Sequence, residues 1–291
     1  MVNRDIEPSP SSSDENCSTD IAQKNLIRAW LHGRSVHTQR AYSRDVSSFL
    51  EQVNKPLAEV TLADVVGWHD GQSGPATSRN RRLASVKSLI SYGARIGFLP
   101  VDVAAPLRGT ASKDTLHERI LTQKQVRAMI GGEPNPRKRA CLRVLYKLGL
   151  RISEACALTW RDMSRHQSGG TATIFGKGSK TRHVFVPSDV WKELSSIRED
   201  MSADAPVLCG SDGGPLSVSA ADRIVKRAAK RAGLPPNVSA HWLRHACASH
   251  SMDNGAPPHL VQANLGHASL VTTTRYLHAR QNDGAANYLP D

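Results

Sequence analysis

From Ile21 onward apolar residues recur at helical spacing, with Leu26, Ile27, Trp30 and Leu31 on one face. A second helix is predicted from about Val36, with Tyr42, Val46 and Leu50 on one side, and Thr61 with Asp64 caps a third. A fourth is predicted over 76–96 on the stripe Leu83, Val86, Leu89 and Ile90. Pro100, Pro106 and the polar run 109–118 then break the pattern. This predicts a helical domain over 21–108, a linker at 109–118 and a second domain over 119–291.

Thr122 and Gln125 open the second domain with another capping box. The stretch 137–150 mixes cations with apolar residues and ends at Gly149-Leu150. Ile152, Ala155 and Leu158 predict a helix capped by Ser153, with Arg151 at its N-terminal edge. The period then shortens to two, and segments 171–175 and 183–186 predict a β-hairpin whose tip is Gly176–Arg182. A helix starts at Pro187-Ser188-Asp189 with Trp191 and Leu194 inward, and another spans 217–233, ending on glycine. From Ser239 three short helices follow, broken at 255–258 and at Gly266. The fold class is therefore mainly α, with a small antiparallel β-sheet or hairpin in the C-terminal domain. Residues 1–20 are rich in Ser, Asp, Asn and Pro, which predicts a disordered acidic tail.

Composition narrows the partners. A chain of 291 residues with 39% hydrophobic and 22% charged positions is that of a soluble two-domain protein. No run approaches the roughly 18 apolar residues of a membrane span. The N-terminus lacks the apolar core of a signal peptide, so a cytoplasmic, nucleoid-associated protein with no membrane partner is expected. The five cysteines are scattered and form no CxxC pair, against both a disulfide framework and a zinc ribbon. Net charge is +12, and the first twenty residues carry −4, which leaves +16 on the rest. So basic a body implies a polyanionic partner, although charge alone does not separate DNA from RNA or an acidic membrane surface.

The cations are grouped. Arg79, Arg81, Arg82 and Lys87 lie beside the apolar stripe of the fourth helix. Lys177, Lys180 and Arg182 surround the hairpin tip, where GKGSK lacks the Walker spacing and is no P-loop. Arg223, Lys226, Arg227 and Lys230 flank an Ala-rich helix whose small residues would permit close approach to DNA. All are candidate DNA contacts; a solvated basic face is the competing reading for each.

The densest chemistry lies between Ser239 and His278. It holds His241, Arg244, His267 and Tyr276. Arginine matches phosphate oxygens with a planar fork, histidine moves protons near neutral pH, and an activated tyrosine hydroxyl is a covalent nucleophile. Taken singly, such a histidine or tyrosine is ordinarily packing. His241 and His245 stand four apart, but no Glu follows the first histidine as HExxH demands, and no metal is expected.

Arg151 in GLRISEA, Lys177 in GKGSK, His241 and Arg244 in HWLRH, His267 in LGH and Tyr276 nine residues on resemble, in order and spacing, the tyrosine recombinase (phage integrase) family, most closely its Xer-type members. Thr38, Tyr42 and Asp45, spaced T-x-x-x-Y-x-x-D, also resemble that family's core-binding domain. The resemblance implies a two-domain architecture, a helical SAM-like core-binding domain plus an α+β catalytic domain. It implies a site-specific recombinase that cuts and rejoins double-stranded DNA without metal, ATP or other cofactor. The implied catalytic set is Arg151, Lys177, His241, Arg244, His267 and the nucleophile Tyr276. A homotetramer on DNA is also implied, possibly shared with a second related recombinase, with strand exchange through a Holliday junction. The short tail after Tyr276 is compatible with docking on a neighbouring protomer. Glu154, one turn after Arg151, either orients that arginine or is a surface salt-bridge partner. The rival functions are a type IB topoisomerase-like nicking-closing enzyme and a non-enzymatic DNA-binding regulator.

Overall fold

The computed structural model describes residues 12–111, 117–176 and 181–266, with side chains from residue 20 in the first stretch and from 118 in the second. The chain divides into two compact units, 1–114 and 115–291.

The first unit holds α1 (Ser12–Leu31), α2 (Val36–Val53), α3 (Leu62–Asp70) and α4 (Ala76–Arg95). Helix α1 starts at Ser12, so the expected disordered tail over 1–20 is corrected: its second half is helical, and residues 1–11 lie outside the described residues. Intrinsic propensity is a weak prior that the rest of the fold can override, so a stretch rich in Ser, Asp and Asn can still be helical and its composition does not reveal it. The capping box at Thr61 is present: Asp64 N–H donates to Thr61 Oγ1 (3.3 Å) and Thr61 N–H to Asp64 Oδ2 (2.9 Å).

Helices α1 and α2 both pack on α4, and α3 packs on α2, around Leu26, Trp30, Phe49, Trp68, Val86 and Leu89. The T-x-x-x-Y-x-x-D positions serve this packing. Thr38 Oγ1 bonds the N-cap Ser35 Oγ at 2.9 Å, and Tyr42 stacks on Trp30 with centroids 5.4 Å apart. Asp45, 4% exposed, accepts from Arg81 Nη1 (2.5 Å), Arg81 Nη2 (2.9 Å) and Ser85 Oγ (3.1 Å). A buried carboxylate needs such pairing, because desolvating it alone is costly.

The start of the expected linker is held to α4. Asn80 Nδ2 donates to Thr110 O (2.7 Å) and Thr110 N–H returns to Asn80 Oδ1 (2.8 Å). Residues 112–116 lie outside the described residues.

The second unit runs α5 (Gln123–Gly131), α6 (Pro136–Lys147), α7 (Ile152–Ala157), β1 (Met163–His166), β2 (Gly169–Phe175), β3 (Thr181–Pro187), α8 (Ser188–Ser196), α9 (Val218–Arg231), α10 (Ala240–Asp253) and α11 (Pro258–Leu265). The strands form an antiparallel sheet ordered β1-β2-β3, in which Ile174 pairs with Arg182, Ala172 with Val184 and Gly170 with Val186. Strand β1 was not predicted; its sequence MSRH is polar and mostly exposed, with no alternation to betray it. Helix α8 covers the sheet, α6 packs on α8 and α10, and Leu142, Leu145, Val184, Leu194 and Leu243 share one core.

Two sequence expectations are corrected here. Helix α7 is capped at Arg151, not Ser153, because the Glu154 side chain reaches back to the Arg151 N–H at 2.8 Å. The small residues of α9 face inward: Ala221, Ala228 and Ala229 are buried, so they serve helix packing in the protein core.

Candidate active site

Three of the six expected catalytic residues are described: Arg151, His241 and Arg244. Lys177, His267 and Tyr276, with the DNA-contact candidate Lys180 and the tail after Tyr276, lie outside the described residues.

The site is built where the turn after α6 meets the end of α11. Gly149 makes that turn with φ +63°; a Cβ there would come within 2.8 Å of Leu265 Cδ2 and 3.0 Å of Cys247 Sγ. Only glycine permits both this backbone and this approach to α10 and α11. Asn264 Nδ2 donates across to Leu148 O at 3.1 Å and ties the two segments together. Asn264 was missed in the sequence, where a lone Asn carries no pattern.

Arg244 sits in the first turns of α10 with 6% of its surface exposed. Its Nη1 donates to Gly149 O (2.6 Å) and its Nη2 to Leu265 O (2.5 Å). The guanidinium is thus oriented by two backbone carbonyls from separate segments. Arg151, at the N-terminus of α7, donates from Nη1 to Glu154 Oε1 (2.8 Å) and from Nη2 to Gly266 O (3.4 Å). Its side chain remains 40% exposed, which suits a ligand-facing cation.

Glu154 is 7% exposed at its side chain, so the surface salt-bridge alternative is set aside. It receives the Arg151 N–H, Arg151 Nη1 and both Nη groups of Arg182. Burial alone would push its carboxyl up; the Arg182 hydrogen bonds, then those of Arg151, overcome this and hold it at about 2. It is ionised throughout the physiological range and orients both arginines.

His241 opens α10 beside these cations, its ring edge-on to His245 with centroids 6.3 Å apart. Desolvation of the packed part of the ring, then the positive charges of Arg244 and Arg151, move its pKa below the usual 6.5. The residue as a whole is exposed, so solvent tempers the size of that effect though not its direction. A neutral imidazole is the form that accepts a proton. His250, by contrast, is buried against Tyr146 and shares a 2.9 Å hydrogen bond between Nδ1 and the tyrosine Oη. It ties α10 to α6.

The expected DNA-contact residues divide. Arg182 is not presented at the hairpin tip. It lies in β3 with its side chain 12% exposed, on the same face as the buried Val184 and Val186, and is bound to Glu154. Arg81 is engaged by Asp45, Arg82 donates to Ser73 O (2.9 Å) and Ser78 O (3.4 Å), and Lys87 folds back on Ala105 O and Leu107 O. Arg79 is half-buried. Arg223, Lys226, Arg227 and Lys230 are exposed along α9, with Lys226 paired to Asp222 at 2.7 Å.

Among the described residues no helix is long and apolar enough to cross a membrane. Residues 119–283 match the phage integrase family, and residues 22–97 match the phage integrase N-terminal SAM-like domain. A tyrosine recombinase XerC from Xylella fastidiosa (strain 9a5c) is 32% identical over 268 residues, covering 86% of this chain and 90% of that protein. A XerC from Mycobacterium bovis (strain BCG / Pasteur 1173P2) is 31% identical over 267 residues, covering 84% and 89%. Among solved structures, a lambda integrase(75–356) dimer bound to a COC′ core site superposes with a TM-score of 0.72 at 18% identity, covering 92% of this chain and 97% of that one. XerH bound to its difH substrate gives 0.68 at 22% identity, covering 94% and 83%. These folds share the mainly helical, two-domain plan described above. With both halves of the chain matched and XerC relatives alike along most of its length, the chain belongs to the phage integrase family, among its Xer-type tyrosine recombinases.

Proposed function

We propose that this protein is a site-specific recombinase that breaks and rejoins double-stranded DNA through a covalent tyrosyl intermediate. The observation that carries the reading is the convergence of Arg151 and Arg244 beside a histidine whose pKa is lowered, with α11 ending two residues before His267. Solved relatives are recombinases bound to DNA, one of them a dimer on its core site.

In this mechanism the Tyr276 hydroxyl attacks the scissile phosphorus while His241 takes its proton. The bond from phosphorus to the 5′-oxygen breaks, and Lys177 protonates the leaving oxygen. A 3′-phosphotyrosyl ester and a free 5′-hydroxyl result. Arg151 and Arg244 offset the charge that builds on the non-bridging oxygens, and His267 donates a hydrogen bond to the same phosphate. The ester stores the bond, so a 5′-hydroxyl from a second duplex rejoins the strand without ATP. Exchange of one strand pair and then the other, through a Holliday junction, calls for two duplexes and a homotetramer, or a tetramer shared with a second recombinase. The exposed cations of α9, with Lys177 and Lys180, are assigned to the DNA backbone. Residues 21–108 act as the core-binding domain, 109–118 as the linker and 119–291 as the catalytic domain. A cytoplasmic, nucleoid-associated location follows from the substrate.

The test is recombination between two copies of a site taken from the DNA flanking the gene, in EDTA, with supercoiled plasmid as substrate. Recombinant circles are the expected product. Relaxation without recombinants, on any plasmid, would instead support a nicking-closing enzyme.

The neutral state of His241 sets a pH dependence. Because its pKa lies below 6.5, the acid limb of single-turnover cleavage should have its midpoint below pH 6.5, where the ring gains its proton. His241→Gln should flatten that acid limb. An acid limb with its midpoint above pH 6.5, removed by the same substitution, contradicts the assignment.

A further inference from the structure

The last three carbonyls of α11 and its cap are each taken by a different arginine. Asn264 O accepts from Arg182 Nε (2.8 Å), Leu265 O from Arg244 Nη2 (2.5 Å) and Gly266 O from Arg151 Nη2 (3.4 Å). Helix C-termini leave such carbonyls without intrahelical partners and carry partial negative charge, so cations are favoured there. Two of these arginines belong to the proposed catalytic set. The third, Arg182, comes from strand β3, five residues beyond Lys177.

Arg182 does more than cap. Its Nη1 and Nη2 grip Glu154 Oε1 (3.0 Å) and Oε2 (2.7 Å), and Glu154 in turn holds the backbone and side chain of Arg151. Gly266 lies against the same guanidinium: a Cβ there would stand 3.1–3.2 Å from Arg182 Cδ, Nε and Nη1. One side chain therefore touches the strand leaving the Lys177 tip, the carboxylate that orients Arg151, and the helix end that leads into His267. Its Nε, Nη1 and Nη2 are all committed, to Asn264 O and the two Glu154 oxygens, which leaves it poorly placed to meet a DNA phosphate itself.

We propose that Arg182 is a positioning residue, which fixes Glu154, and through it Arg151, and the end of α11 to strand β3, so that these parts keep one reactive geometry. The inference rests on the recombinase reading above. Lysine in its place keeps the charge and loses the planar fork that holds two carboxylate oxygens and a carbonyl at once.

The experiment compares wild type, Arg182→Lys, Glu154→Gln and the double variant on a nicked duplex carrying the site. It reads the DNA Kd, the rate of covalent adduct formation at saturating DNA, and amide exchange over residues 258–266 in free protein. Arg182→Lys should keep Kd within about twofold and slow adduct formation by about 10- to 100-fold, as expected for misplaced reacting groups. The double variant should be little worse than either single one, since the two residues act as a unit. Amide exchange at the end of α11 should rise. An unchanged adduct rate overturns the proposal, as does a loss confined to Kd, which would make Arg182 a phosphate contact. If wild type forms no adduct, the recombinase reading fails separately. The exchange measurement needs no chemistry and still decides whether Arg182 holds α11, with unchanged exchange counting against it.

Discussion

Arg244→Ala should lose stability and chemistry together. The side chain is buried, and its two Nη groups satisfy Gly149 O and Leu265 O. Truncation leaves both carbonyls without these donors and opens a gap between the α6 turn and α11. Each orphaned buried acceptor costs about 1–3 kcal/mol, so unfolding free energy should fall by about 3–5 kcal/mol. For a unit of this size that is a drop of about 10 °C in Tm. Cleavage at saturating DNA and at a temperature where the variant is folded should fall by a further factor of about 10² to 10³, the usual cost of removing a charge-stabilising donor. Urea titration and single-turnover kinetics read the two effects separately. Wild-type stability would mean that the carbonyl contacts do not matter, and a wild-type rate would remove Arg244 from the proposed machinery.

The same residue shows what is legible in a sequence. HWLRH marks Arg244 as a candidate phosphate clamp, because residue type and spacing carry the chemistry. That it is held by the carbonyls of Gly149 and Leu265 depends on segments 95 and 21 residues away. No periodicity records such contacts. The helices were legible wherever one face is apolar and a cap is present, as at Thr61 and Thr122. Strand β1 was not, since it owes its state to pairing with β2 and not to its own polar sequence.

Arg182 was misplaced for a different reason. Its position beside a glycine-rich basic tip suggested a free cation, yet the alternation that predicts the strand also gives it the parity of Val184 and Val186. Reading the period through to the first residues of β3 would have placed it inward. Arg81 is the parallel case in the first unit. Its partner Asp45 lies one residue before Val46 on the buried side of α2, and a carboxylate so placed calls for a cation from elsewhere in the fold. Counting basic residues near an apolar stripe cannot distinguish such structural arginines from those turned outward, as along α9.

The largest expected effect belongs to Tyr276→Phe. The substitution removes one hydroxyl and leaves the aromatic ring, so DNA binding should stay within about threefold of wild type, while covalent chemistry loses its only proposed nucleophile and should fall by at least about 10³-fold. The proposed phosphate clamp of Arg151 and Arg244 would remain, with no nucleophile to receive the phosphoryl group. A weak residual activity through solvent hydrolysis would yield a nick and no protein-linked product.

That variant supplies the most direct measurement of the whole account. Wild type and Tyr276→Phe are each mixed with a nicked duplex carrying the site, in EDTA, and the products are resolved in SDS. The account predicts a protein–DNA adduct joined at a 3′-phosphate for wild type and none for Tyr276→Phe. An adduct that survives the substitution, or site-specific binding by wild type with no adduct on any nicked substrate, would contradict it.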